Sequence, residues 1–218
     1  MERILLSDEM NKLRQEIAIM AARVEEDLGK ALAVLRSGDA ELAQEVKESD
    51  KIVDALQVKI EDMALVLIAT QQPVASDLRE LMTVLKTTSN LERIGDYGVH
   101  LVKAGLRLAK YPPFRSVERI EKMVETALLM LKDAVYAYRE QDAASARKAA
   151  ALDAIIDQEH KALTNELLGF IKKQPNFVKA AARLLRLSGN MERLGDHITN
   201  ICEGIIYMIE GSREELNG

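Results

Sequence analysis

The heptapeptide Asn90-Leu91-Glu92-Arg93-Ile94-Gly95-Asp96 returns 100 residues later as Asn190-Met191-Glu192-Arg193-Leu194-Gly195-Asp196. Five of the seven positions are identical, and the other two exchange one apolar side chain for another. A second register runs upstream of the first. Arg36, Asp39, Ala40, Ala43, Asp50, Ile52 and Asp54 recur 103 residues on as Arg139, Asp142, Ala143, Ala146, Asp153, Ile155 and Asp157; Lys59 and Ala162 break the match. The offset falls from 103 to 100 between residues 60 and 78, so one connection is three residues shorter in the second copy. Insertions and deletions collect at loops, and each copy carries a proline there, Pro73 and Pro175. Two constant offsets therefore define a duplicated unit of about 100 residues, and any fold for this chain must be built twice.

The unit reads as helical. The chain is 48% hydrophobic and 30% charged but only 4% aromatic, with no Trp, so Ala, Leu, Ile, Val and Met must fill the core. Such a mixture suits long helices. Ile17, Met20, Ala21, Val24, Leu28, Ala31, Leu32 and Leu35 follow the three-and-four spacing of one helical face. No segment alternates with period two over a useful length. Six helices are expected. The first runs from Ser7-Asp8, read as caps, to about Arg36, and the second from Asp39 to about Thr70. The third spans about Ala75 to Lys110 and the fourth about Val117 to Arg139. The fifth runs from Asp142 to about Lys173, and the sixth ends at Glu210 before Gly211, leaving a tail expected to fray. Tyr111-Pro112-Pro113 is the strongest breaker and marks the boundary. The expected fold is all-α: two three-helix bundles related by pseudo-twofold symmetry, residues 1–111 and 114–218, each connected up-down-up.

The repeated word carries paired acids. Glu and Asp four apart on a helix project from one face, about one turn from each other. Counting equal distances from the turn at Gln174 sets Asp157 level with about Glu192, and Asp153 level with about Asp196. Counting from Gln72 sets Asp50 level with about Ile94, and Asp54 level with about Asn90. Four carboxylates per copy then converge: Asp50, Asp54, Glu92 and Asp96, and again Asp153, Asp157, Glu192 and Asp196. Clustered carboxylates repel one another unless a cation neutralises them. All-oxygen sites suit hard cations such as Mg²⁺, Ca²⁺, Mn²⁺ or ferric iron, and bridging carboxylates suit a multinuclear centre. The plain alternative is a solvated acidic face paired with Arg93, Arg193, Lys51 or Lys161.

Other residues add less. His100, four residues beyond Asp96, and its counterpart Asn200 are weaker candidates for a ligand or a supporting hydrogen bond. His197 points about 100° away from Asp196 along the helix, which argues against ligation. Asp157-x-x-His160 lacks the Glu and the second copy that a di-iron bundle needs. Gly95 and Gly195 predict close helix approach beside the acids. Arg93 and Arg193 are read as partners of acids rather than anion binders. The lone cysteine, Cys202, is read as a small core residue. The formal net charge is −5 and no basic stripe with aromatics appears, which argues against nucleic acid. Nothing resembles a signal peptide or a membrane span, so a soluble cytoplasmic protein without direct membrane insertion is expected.

The doubled Asn-x-Glu-Arg-x-x-Asp word, with the doubled Asp-x-x-x-Asp, resembles the PhoU family of bacterial phosphate-uptake regulators over nearly the whole chain. The resemblance implies two repeated three-helix bundles, often a homodimer, and a cytoplasmic, non-enzymatic role. It implies negative regulation of phosphate uptake and of the phosphate-starvation response, as an adaptor between the phosphate ABC transporter ATPase and a sensor histidine kinase. It also implies multinuclear metal (iron, or Mg, Mn, Ca or Zn) on the eight acids already named. His100 departs from the family, which commonly has Asn there. Two rivals stand beside this reading: a carboxylate-bridged metalloenzyme, and a helical scaffold without metal. The absence of a nucleophile–base pair, a Gly-rich phosphate loop or a cofactor fingerprint favours the adaptor.

Overall fold

In the computed structural model, residues 2–108 and 117–217 are described. Helix α1 spans Glu2–Ser37, α2 Ala40–Gln71, α3 Ala75–Leu108, α4 Val117–Glu140, α5 Ala143–Ala151, α6 Asp153–Lys173 and α7 Val178–Glu210. A single 3-10 turn, Pro175–Phe177, joins α6 to α7. No strand occurs among the described residues. The expected break at Tyr111-Pro112-Pro113 lies outside the described residues.

Each half is an up-down-up bundle. Arg14 meets Glu80 and Leu35 lies against Gly105, so α1 and α3 run the same way with α2 returning between them. The second half repeats this with α4, α5–α6 and α7. The halves join by like on like. Thr83 donates to the Gly204 carbonyl at 3.1 Å, and Asn90 meets His197 at 2.8 Å, so α3 lies antiparallel on α7. Arg36 bridges to Glu121 and Glu125, tying α1 to α4. Antiparallel packing of equivalent helices is what a pseudo-twofold axis perpendicular to them produces.

One continuous core runs through both halves, with Leu13, Met20, Leu28, Ile60, Leu91, Met123, Met130 and Leu131 fully buried. Each such side chain contributes roughly 1.5–3 kcal/mol by leaving water. Cys202 belongs to this core, and burial pushes its thiol up to about 12. Gly105 permits a close approach of α1 and α3: a Cβ there would stand 2.9 Å from the Leu35 Cα.

The caps repeat with the sequence. Asp39 accepts from the backbone of Glu41 and Leu42 at 2.9 and 3.1 Å, and Asp142 accepts from Ala144 and Ser145 at the same two distances. The residue immediately before each cap is left-handed, a glycine in one copy and a glutamine in the other: Gly38 at φ 71° and Gln141 at φ 52°.

Three expectations need correction. Helix α1 begins well before Ser7-Asp8, because Leu6 packs on the core in line with buried Met10 and Leu13. The fifth helix is interrupted at Leu152, where Ile155 donates to the Leu152 carbonyl at 2.9 Å, a tighter i→i+3 turn. The tail does not fray up to Asn217. Gly211 caps α7 in a left-handed conformation, and the chain then folds back along it. Arg147 grips Glu210 and Glu214, and the Leu216 amide donates to Glu203 at 2.7 Å.

Candidate functional site

The first patch lies between α2 and α3. The Asp50 carboxylate sits against Gly95, where a Cβ would meet its Oδ1 at 3.6 Å. Burial raises the Asp50 pKa to about 6, with further upward pressure from Asp54 and Asp96 and relief from Lys103. Glu92 is raised by burial first and then by Asp96, Asp54 and Asp50. These couplings place all four acids of the first copy in one field. Arg93 bonds Asp96 at 3.2 Å and approaches Glu92 at 3.7 Å, so it holds acids, as expected.

The second patch, between α6 and α7, is tighter. A Cβ on Gly195 would fall on Asp153 Oδ1, so the glycine makes room for that carboxylate. Asp153, Asp157, Glu192 and Asp196 line one cleft of about 250 Å³, and Leu216 and Asn217 of the tail border it. Burial raises Asp153 to about 7, with Asp157, Asp196 and Glu192 adding to it. Glu192 and Asp196 are raised for the same reasons, burial first. The Asp153 Oδ1 atom is buried without a hydrogen-bond partner. A buried, unpartnered carboxylate oxygen beside three more acids is a donor set suited to a hard cation. Among the described residues, no three His, Cys, Asp or Glu side chains already stand at metal-binding spacing. Mutual repulsion is a sufficient reason for unneutralised acids to splay.

The fold and the doubled acids point to a family, and the comparison with known sequences decides it. The PhoU domain model matches residues 6–104 and 120–205, one match per repeat. The chain belongs to the PhoU family. It is 33% identical, over the full length of both chains, to a phosphate-specific transport system accessory protein PhoU homolog of Clostridium acetobutylicum. A Caulobacter vibrioides protein of the same description is 36% identical over 96% of this chain and 90% of its own. Among solved structures, PhoU from Pseudomonas aeruginosa superposes with a TM-score of 0.90 at 28% identity, covering 94% of this chain and 99% of that one. The phosphate transport system regulatory protein PhoU from Streptococcus pneumoniae gives 0.87 at 32% identity, over 96% and 99%.

Each of the three histidines of this PhoU chain has a contact of its own outside the acids. His100 is exposed and meets Tyr97 edge-on at 5.9 Å. Asn200 lines a separate α3–α7 cleft with Asn90, Lys86, Glu203 and Tyr207. His197 bonds Asn90 and packs on Tyr97 at 5.7 Å, and burial lowers its pKa. His160 bonds Ser188 at 2.7 Å and ties α6 to α7.

Two features escaped the sequence reading. Asp27 is 4% exposed with neither oxygen partnered, and its charge reaches Asp50. Its signal was an acid within the apolar stripe between Val24 and Leu28. The tail against the second patch, Gly211 to Asn217, does not recur in sequence at the 100-residue offset, so the repeat could not announce it.

Proposed function

We propose that this chain is a cytoplasmic, non-enzymatic regulator of phosphate uptake that restrains the phosphate-starvation response. It acts as an adaptor between the phosphate ABC transporter ATPase and a sensor histidine kinase, and it works as a homodimer. The observation that carries the reading is the full-length match to phosphate transport accessory proteins. No described helix is long and apolar enough to cross a membrane, so contact with the transporter runs through protein surfaces.

Metal is part of the proposal. Asp50, Asp54, Glu92 and Asp96 would hold it in the first repeat, and Asp153, Asp157, Glu192 and Asp196 in the second, with iron, Mg, Mn, Ca or Zn as the metal. A bound cation supplies the positive charge that lets four carboxylates ionise together. The chain's own residues do the rest. Gly195 leaves the room that the Asp153 carboxylate takes up beside Glu192 and Asp196. Arg93 and Lys161 steady the rim, the latter 3.8 Å from Asp157. With each hairpin fixed, its exposed face presents one shape to a partner.

The test is a strain lacking the gene, carrying a phosphate-starvation reporter and grown with ample phosphate. The wild-type chain should restore repression and co-purify with the transporter ATPase. The Asp96→Ala/Asp196→Ala variant should do both poorly. Full reporter silence without the gene would contradict the regulatory role. Full repression by the double variant would detach that role from the patches.

A further inference from the structure

A cavity of about 170 Å³ lies where α1 and α3 of the first repeat meet α4 and α7 of the second. Its walls include Ile17, Ala21, Leu91 and Ala134, together with Thr87 and Tyr138. The Thr87 and Tyr138 side chains are at least nine-tenths buried, and both hydroxyl oxygens lack a hydrogen-bond partner. Two unpartnered hydroxyls around one cavity call for an explanation.

The fold itself does not demand them. The repeat sets Leu35 in the place of Tyr138 and Leu187 in the place of Thr87, and both leucines are buried. The pseudo-equivalent positions therefore carry buried apolar side chains, while this cavity has small residues and two hydroxyl-bearing side chains in its wall. The charged groups nearby are already engaged: Arg14 bonds Glu80 through two nitrogens at 2.6 and 2.7 Å, and Arg139 bonds Glu140 at 2.8 Å. No free cation is left among these for an anion, so the occupant is uncharged.

We infer that this cavity binds a compact, uncharged cyclic alcohol or phenol, with its ring among the alanines and aliphatic side chains and its oxygen between Thr87 and Tyr138. Size supports this: an apolar cavity of about 150 Å³ takes benzene. Because the lining comes from both repeats, an occupant bears on how they pack.

The test is a titration of the full chain followed by NMR, with p-cresol as probe and toluene as its hydroxyl-free control. Saturable binding is expected, with p-cresol about tenfold tighter than toluene. Thr87→Val/Tyr138→Phe should bring the two within about twofold while toluene binding persists, which also shows that the variant is folded. Ala134→Leu fills the space and should abolish both, with Ala21→Leu as a second filling variant should the first not fold. No saturable binding by either probe overturns the inference, as does equal affinity for the two. Binding that survives a folded filling variant overturns it as well, because the probe then sits elsewhere.

Discussion

Gly95 and Gly195 hold the same place in the two repeats, yet the same substitution should act differently at each. An alanine methyl at 95 would meet Asp50 Oδ1 and Val53 Cγ1 at 3.6 Å, ordinary contact distances. Replacing a helical glycine by alanine returns about 1 kcal/mol. Gly95→Ala should therefore stabilise by up to that amount, raising Tm by roughly 2–4 °C. At 195 the methyl would land on Asp153 Oδ1, 3.3 Å from its Cγ and 3.1 Å from Ile156 Cδ1. The carboxylate must swing out and Ile156 must shift. Overpacking of this kind costs about 1–3 kcal/mol, against the ~1 kcal/mol helix gain. Gly195→Ala should thus destabilise by up to about 2 kcal/mol. A double-mutant cycle isolates the cause. Asp153→Ala removes the obstruction, so it should couple to Gly195→Ala by at least about 1 kcal/mol, while Asp50→Ala and Gly95→Ala stay within about 0.5 kcal/mol of additive. Urea unfolding in the presence of a chelator reads these values without metal. A Gly195→Ala as stabilising as Gly95→Ala, or additive with Asp153→Ala, would refute the placement of Asp153.

Three further outcomes follow from the packing and caps. Gly105→Ala presses a methyl onto the Leu35 backbone, which cannot turn aside as a side chain can. It should lose about 1–3 kcal/mol in the same unfolding assay, and wild-type stability would contradict the close α1–α3 approach. Arg14→Ala leaves Glu80, 10% exposed, without its bidentate partner. Thermal unfolding should show a loss of about 1–3 kcal/mol, reduced when Glu80 is also made Ala; a larger loss in the double variant would speak against it. Asp142 is held below the usual carboxylate range by hydrogen bonds from the Ser145 side chain, then the Ser145 and Ala144 amides. Its contribution is present above the unfolded pKa of about 3.9 and is lost as pH falls through the lower folded value. The Tm gap between wild type and Asp142→Ala should be open at neutral pH and narrow as pH falls below the unfolded value of about 3.9; a gap that widens on acidification would contradict the cap.

Much of this molecule was legible because its signals are local and doubled. Asp39 announced a helix start and caps as read, and Asp142, read as its repeat in the second turn, caps in the same way. Levelling across a short hairpin needs only the helical rise, and it brought Asp153 and Asp157 to Glu192 and Asp196. What stayed hidden depends on contacts distant in sequence. Leu6 extends α1 past two plausible caps because a core waits for it. The turn at Leu152 falls beside the crowded Asp153–Gly195 contact, and neither residue alone predicts it. The hairpin count levels Asn90 with Asp54, and the helical turn sets His197 off the acidic face; that the two join α3 to α7 stayed hidden, since the pairing of the two repeats is not written in either.

The most direct test counts metal. Under the proposed function each repeat holds one independent patch, ending in Asp96 or in Asp196. Purified wild type, Asp96→Ala, Asp196→Ala and the double variant should be stripped, reloaded with iron or manganese, and measured by elemental analysis. Each single variant should retain about half of the wild-type metal and the double variant close to none, because loss of a carboxylate ligand is confined to its own repeat. Wild-type metal content in the double variant would contradict the assignment.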